Sequence, residues 1–174
     1  MLEYSTIFVA LGAPPIMVDK DELASSFFPL SDEYRAQDFP LYWVARLNAK
    51  YSADVDSLLK PHGLSSSKWR VLMILREQGR LSMSDIATHA AAKLSTITKI
   101  VYKMQEIGLL KTSPSPQDGR VTEVELTESG EAKLTVVREL MGRVVEKAFT
   151  DLHKDEIIYI NRCLSKMFRN LNSL

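Results

Sequence analysis

Between Lys93 and Met104 the chain sets hydroxyls, a cation and a phenol against aliphatic side chains at helical spacing. At 3.6 residues per turn, Leu94, Ile97, Val101 and Met104 share one face, while Ser95, Thr98, Lys99 and Tyr102 share another. Hydroxyls and a lysine suit base edges and phosphates, and a phenol can reach a phosphate or a thymine methyl. Lys103 and Lys111 are candidate phosphate contacts, which carry no sequence information. Beyond Gly108 comes a short polar hairpin with Asp118-Gly119-Arg120 at its tip. An aspartate cannot favour phosphate, so Asp118 is expected to pair with Arg120 or to fix the turn.

Several elements must hold this polar face and this tip in place. An amphipathic helix is expected over Leu41–Lys60, with Leu41, Val44, Tyr51, Val55 and Leu59, and Asn48 and Ser52 among them, on one stripe. Pro61-His62-Gly63 ends it. Ser65 or Ser66 caps a second helix running to about Gln78. Trp69, Val71, Leu72, Met73, Ile74 and Leu75 leave that helix apolar nearly all round, which places it at the centre. Ser82 or Ser84 caps a short third helix with Ile86 and Ala87, and Ala90-Ala91-Ala92 then lets two helices cross closely. Gly108 stops the polar-faced helix. Leu109–Ser113 and Val121–Leu126 read as strands around the turn residues Pro114 to Gly119. Thr127 caps a long helix with Leu134, Val137, Met141, Val144, Ala148 and Leu152 on its stripe. A last helix from about Asp155 carries Ile157, Ile160, Leu164, Met167, Phe168 and Leu171. A groove-reading helix followed by a cationic wing is the arrangement of a winged helix-turn-helix. The expected fold is mainly α with a small β-wing.

Composition excludes more than it selects. The 174 residues are 45% hydrophobic and 25% charged, with 22 basic and 22 acidic side chains, which is ordinary for a soluble globular protein. The charge is unevenly spread. Residues 1–37 hold Glu3, Asp19, Asp21, Glu22, Asp32 and Glu33 against Lys20 and Arg35. Residues 66–122 hold Lys68, Arg70, Arg76, Arg80, Lys93, Lys99, Lys103, Lys111 and Arg120 against Glu77, Asp85, Glu106 and Asp118. A basic middle is the footprint of local contact with nucleic acid, although a solvated charged face would look the same. The single Cys163 excludes a disulfide framework and fits a reducing cytoplasm, so a cytoplasmic protein without a membrane span is expected. Ile7-Phe8-Val9-Ala10-Leu11, preceded by Glu3 and followed by Gly12-Ala13-Pro14-Pro15, reads as neither signal nor anchor. His62, His89 and His153 lack metal-ligand spacing with Cys163. No nucleophile motif or glycine-rich phosphate loop occurs, so neither catalytic residue nor metal nor cofactor is expected, and an enzyme is disfavoured. Residues 1–38, punctuated by Pro14, Pro15 and Pro29, read as an irregular arm. A short helix near Lys20–Ser26 is compatible with it, and the alternatives for the arm are packing through Phe27 and Phe28 or disorder.

Over roughly Phe39–Leu171 the chain resembles the multiple-antibiotic-resistance regulator (MarR) family of bacterial transcription factors. The resemblance is carried by Ile86-Ala87, Ser95-Thr96-Ile97-Thr98, Met104-Gln105-Glu106-Ile107-Gly108-Leu109, Asp118-Gly119-Arg120 and Leu126-Thr127-Glu128-Ser129-Gly130 in that order. It implies a homodimer built on a helical dimerisation region, 39–62 with 127–174. A winged helix-turn-helix DNA-binding domain, 63–126, would engage a double-stranded, pseudo-palindromic operator. Ser95, Thr96, Thr98, Lys99, Tyr102, Lys103, Lys111, Asp118 and Arg120 would form the DNA-binding surface, with Arg120 in the position of the family's minor-groove arginine. It further implies a ligand-responsive repressor that a small aromatic acid or related effector releases from DNA. Tyr42, Trp43, Arg46, His62, Trp69, Arg70 and Met73 could take an aryl carboxylate by stacking and an ion pair. The alternatives are that Trp69 and Met73 are core and that Arg46 forms a surface or dimer ion pair. Cys163 departs from the redox members, whose thiol lies near the N-terminus, and reads as a structural cysteine against a sensor. The competing functional reading is a dimeric DNA-binding protein, activator or architectural, with no small-molecule response.

Overall fold

The computed structural model describes Asp32 and residues 34–173, and over them it forms six α-helices and three short strands, all but the first strand carried by local signals in the sequence. The expected helix at Lys20–Ser26 and the packing of Phe27 and Phe28 lie outside the described residues. The chain divides into two compact units, residues 1–50 and 51–174.

Helix α1, Pro40–Leu59, continues into a 3-10 turn at Lys60–His62 and stops at Gly63, whose φ of +72° suits glycine. Only the last part of its expected stripe is buried: Val55 and Leu59 are in the core and Tyr51 packs against it, whereas Leu41 and Val44 are exposed. Helix α2, Ser66–Gln78, is capped by the Ser65 hydroxyl, which accepts from the Lys68 N–H at 3.3 Å. Val71, Leu72 and Leu75 are buried, but Met73 is 37% exposed. The helix is therefore not wrapped on every side. Successive residues turn by about 100°, and Met73 falls on the side that meets no core neighbour.

Strand β1, Leu81–Ser82, was not expected from the sequence; it is two residues long and has no alternation to read. It leads straight into α3, Met83–His89, capped by Ser82, whose hydroxyl accepts from the Asp85 N–H at 3.1 Å. Helix α4, Leu94–Glu106, follows, and Gly108 at φ +73° ends its last turn. Strands β2, Leu110–Pro114, and β3, Thr122–Leu126, pair antiparallel with Leu110 opposite Leu126 and Thr112 opposite Val124. Strand β1 pairs with the other edge of β3, so the sheet order is β1-β3-β2.

Helix α5, Glu128–Ala148, is capped by Thr127, and α6 covers Lys154–Leu171. The core lies between α2, α3, α4, β3 and the first half of α5, with Ile86, Ile97, Val101, Met104, Val124, Leu134 and Val137 fully or almost fully buried. The expected stripe on α5 is buried through Met141, and Leu152, beyond the helix end, is exposed. On α6 no residue is buried: Ile160, Leu164 and Leu171 are exposed, and Phe168 is 66% exposed.

Candidate nucleic-acid interface

Helix α4 turns Ile97, Val101 and Met104 into the core and leaves Ser95, Thr96, Lys99, Tyr102 and Lys103 exposed, with Thr98 half-buried. Burial of three aliphatic side chains fixes the rotation of the helix, and that rotation presents the polar set together. Two details depart from the simple two-face picture. Leu94, expected with the buried stripe, is 49% exposed. It opens the helix where the chain has only just emerged from the turn, and with Ser84, Thr88 and Lys93 it lines an open cleft of about 590 Å³. Thr98 donates its hydroxyl proton to the Leu94 carbonyl at 2.9 Å, so its oxygen is left as an acceptor only.

The wing is the β2–β3 hairpin. Its tip is closed by backbone bonds from Ser115 N–H to Val121 O at 2.8 Å and from Val121 N–H to Asp118 O at 2.9 Å. Asp118 accepts from the Arg120 backbone N–H at 3.0 Å. Of its two expected roles it therefore takes the turn-fixing one. The Arg120 side chain is exposed, and among the described residues no ion pair holds it.

Arg80 belongs to this region; the sequence counted it among the basic residues of the middle segment but not as a site residue. Its Nε stands 3.0 Å from Glu123, a terminal nitrogen stands 3.6 Å from Glu125, and its guanidinium also donates to the Ser113 hydroxyl. It ties the root of the wing to the end of α2. Glu123 and Glu125 alternate along β3, so a cation on the β1 side was the available signal, but it required knowing that β1 exists. Lys111, expected to meet a phosphate, stands 3.4 Å from Glu125, so its charge is partly matched within the wing.

Of the aromatic and basic residues considered for an effector, Tyr42, Trp43 and Arg46 belong to the first unit and His62, Trp69, Arg70 and Met73 to the second. Within the first unit, Arg46 lies over the Tyr42 ring at 5.4 Å and donates to its hydroxyl at 3.1 Å, while the Trp43 indole N–H donates to the Gln37 carbonyl at 2.7 Å. Arg46 is thus stacked on an aromatic ring. Within the second unit, Trp69 packs partly buried against the core, His62 is half-buried in the 3-10 turn, Met73 is exposed, and Arg70 donates to the Ala90 carbonyl at 3.1 Å. Cys163 is half-buried on α6, and burial pushes the phenol of Tyr159 above its usual range, with the Cys163 side chain adding to the shift. Among the described residues no group of His, Cys, Asp or Glu is placed to hold a metal ion, and no helix is long and apolar enough to cross a membrane.

Helix-turn-helix, exposed polar helix face and arginine-tipped hairpin define a winged helix DNA-binding protein. Comparison with known proteins agrees. The profile of the MarR family matches residues 64–122, which span α2 through the first residue of β3. The chain is 47% identical over 146 residues to the HTH-type transcriptional repressor IacR of Pseudomonas putida, a match covering 84% of this chain and 87% of that one. Among solved structures it resembles a MarR family transcriptional regulator from Silicibacter pomeroyi, with a TM-score of 0.72 at 24% identity, covering 77% of this chain and 90% of that one. It also resembles Bordetella bronchiseptica BpsR, whose DNA binding is regulated by 6-hydroxynicotinic acid, with a TM-score of 0.68 at 24% identity over 77% of this chain and 96% of that one. The chain belongs to the MarR family and is a DNA-binding transcription regulator.

Proposed function

We propose that the protein is a homodimeric repressor whose α4 helices enter successive major grooves of a pseudo-palindromic operator, about 34 Å apart. Ser95, Thr96, Thr98 and Lys99 hydrogen-bond to base edges, Lys99 as a donor and Thr98 as an acceptor, and Tyr102, Lys103 and Lys111 meet the backbone. Arg120 reaches from the wing into the adjacent minor groove, with Asp118 holding its turn. The single observation carrying this reading is the rotation of α4, which buries Ile97, Val101 and Met104 and leaves Ser95, Thr96, Lys99, Tyr102 and Lys103 exposed, with Thr98 half-buried among them.

The dimer reading is supported by the apolar side chains that α6 leaves in water, Ile160, Leu164, Phe168 and Leu171. A contiguous apolar face of that kind is what a second subunit covers. Residues 39–62 with 127–174 then form the dimerisation region, and 63–126 the DNA-binding domain. The protein acts by binding and has no catalytic role.

Repression and effector release are supported by two comparisons: the 47% identical relative is a repressor, and BpsR is regulated by an aromatic acid. The effector class we propose is a small aryl carboxylate.

Selection of duplexes from a random library by the full chain tests the reading. The expected result is enrichment of an inverted repeat bound by two subunits with steep salt dependence, and its release by one of a panel of aryl carboxylates. No enrichment over random duplex rejects the reading. Enrichment with no release by any panel member favours a DNA-binding protein without a small-molecule response.

A further inference from the structure

Three helices of the described chain end in the same pair of backbone hydrogen bonds. After α1 the bonds run from Leu64 N–H to Leu59 O at 3.2 Å and from Gly63 N–H to Lys60 O at 3.1 Å. After α4 they run from Leu109 N–H to Met104 O and from Gly108 N–H to Gln105 O, both at 2.9 Å. After α3 they run from Ala92 N–H to Ala87 O at 3.0 Å and from Ala91 N–H to Thr88 O at 3.1 Å. This closure places one residue in the left-handed region, where glycine carries no penalty. Gly63 and Gly108 take that position at φ +72° and +73°; in the third turn it is Ala91, at φ +49°. There a Cβ crowds the following carbonyl, so the turn is the least self-supporting of the three.

That turn joins the two helices of the helix-turn-helix, and it receives a donor from another element. Arg70 on α2 donates from Nη1 to the carbonyl of Ala90, at 3.1 Å. Ala90 is 3% exposed, so water is poorly placed to replace the guanidinium. The neighbours of Arg70, Val71 and Leu72, are fully buried and anchor that stretch of α2. On the far side of the turn, α4 starts at Leu94, and its N-cap residue Lys93 makes no side-chain cap. The start of α4 therefore takes its direction from the turn itself.

We infer that Arg70 is a positioning residue for DNA recognition. Its guanidinium holds the Ala90–Ala91 turn in a conformation alanine adopts reluctantly, and so sets the angle at which α4 presents Ser95, Thr96 and Lys99. It does this without touching DNA, and the role assigns Arg70 to the helix-turn-helix and away from effector recognition. The inference rests on the DNA-binding reading above.

The test uses the full chain, the duplex it enriches from a random library, and three variants. Arg70→Ala is expected to weaken binding to that duplex about tenfold and to narrow its preference over random duplex. Ala91→Gly alone should bind as the parent does. In the Arg70→Ala background, Ala91→Gly should recover most of the loss, because a glycine turn no longer depends on the outside donor. Amide exchange in the DNA-free protein should quicken from Ala91 to Thr96 in Arg70→Ala and return to the parental rate in the double variant. If Arg70→Ala does not fold, Arg70→Met, which keeps the stem and lacks the donor, replaces it with the same expectations. Unchanged affinity in the arginine variant overturns the inference. So does a loss that glycine does not relieve, with exchange unaltered, since that would mark a direct DNA contact. Failure of the parent chain to enrich any duplex overturns the DNA-binding reading itself, and with it this one.

Discussion

The hydroxyl of Thr127 donates to the carbonyl of Gly108 across 2.6 Å and accepts from the Gly130 N–H at 3.1 Å. One side chain thereby closes the end of α4 and opens the long helix α5. Thr127→Ala removes a cap and leaves the carbonyl short of a partner, and is expected to cost about 1–3 kcal/mol of stability. Thr127→Ser keeps the hydroxyl and should retain most of it. Denaturant unfolding of the two variants decides the point, and equal losses would show that the hydroxyl bonds contribute little.

Gly130 and Gly142 both lie within α5, and substituting alanine at each is expected to act in opposite directions. A Cβ on Gly130 would stand 2.3 Å from the carbonyl oxygen of Leu109, a backbone atom already held by the Thr127 N–H. Alanine favours a helix over glycine by about 1 kcal/mol, but the clash should outweigh this and leave Gly130→Ala about 1–3 kcal/mol less stable. Nothing lies within 4 Å of a Cβ on Gly142, so Gly142→Ala should be neutral or stabilising by up to about 1 kcal/mol. Thermal melts of the two proteins give the comparison.

Arg120 is exposed on a turn fixed by Asp118, so its removal should disturb binding and not folding. Arg120→Ala is expected to weaken binding to the selected duplex by about 1–3 kcal/mol with an unchanged melting temperature. Fluorescence titration at several salt concentrations should also show a shallower salt slope. An unaltered affinity would remove the wing from the interface.

Phe168 offers a way to separate a lone subunit from a dimer. At 66% exposure in the single chain, replacing it with glutamate should change the stability of an isolated subunit by no more than about 0.5 kcal/mol. If α6 packs against a second copy, the buried carboxylate should instead shift the dimer to monomers at micromolar concentrations. Analytical ultracentrifugation of Phe168→Glu beside the parent distinguishes the two.

Arg80 holds the wing root through Glu123 and Glu125, in a partly exposed site where such pairs contribute about 0.2–1 kcal/mol. Arg80→Ala should therefore leave the melting temperature nearly unchanged while amide exchange quickens along β2 and β3. Exchange equal to the parent would mean that the β1–β3 backbone pairing alone holds the wing.

Much of this protein is set by residues within a turn of one another, and those parts were legible in the amino-acid sequence. The cap at Thr127, the caps narrowed to Ser65 or Ser66 and to Ser82 or Ser84, the stop at Gly63, the two faces of α4 and the Pro114–Gly119 turn all depend on neighbours a few positions apart. Periodicity and capping chemistry act at that range. The tertiary structure decided what comes from afar. Strand β1 exists because Leu81 meets Val124. Arg80 reaches Ser113 across 33 positions, and Arg70 reaches Ala90 across 20. The exposure of Leu94 and Met73 likewise depends on which elements stand opposite them, and no helical pattern contains that information. An apolar stripe says that a face wants covering. Whether it is covered, and by what, is settled only when distant segments pack.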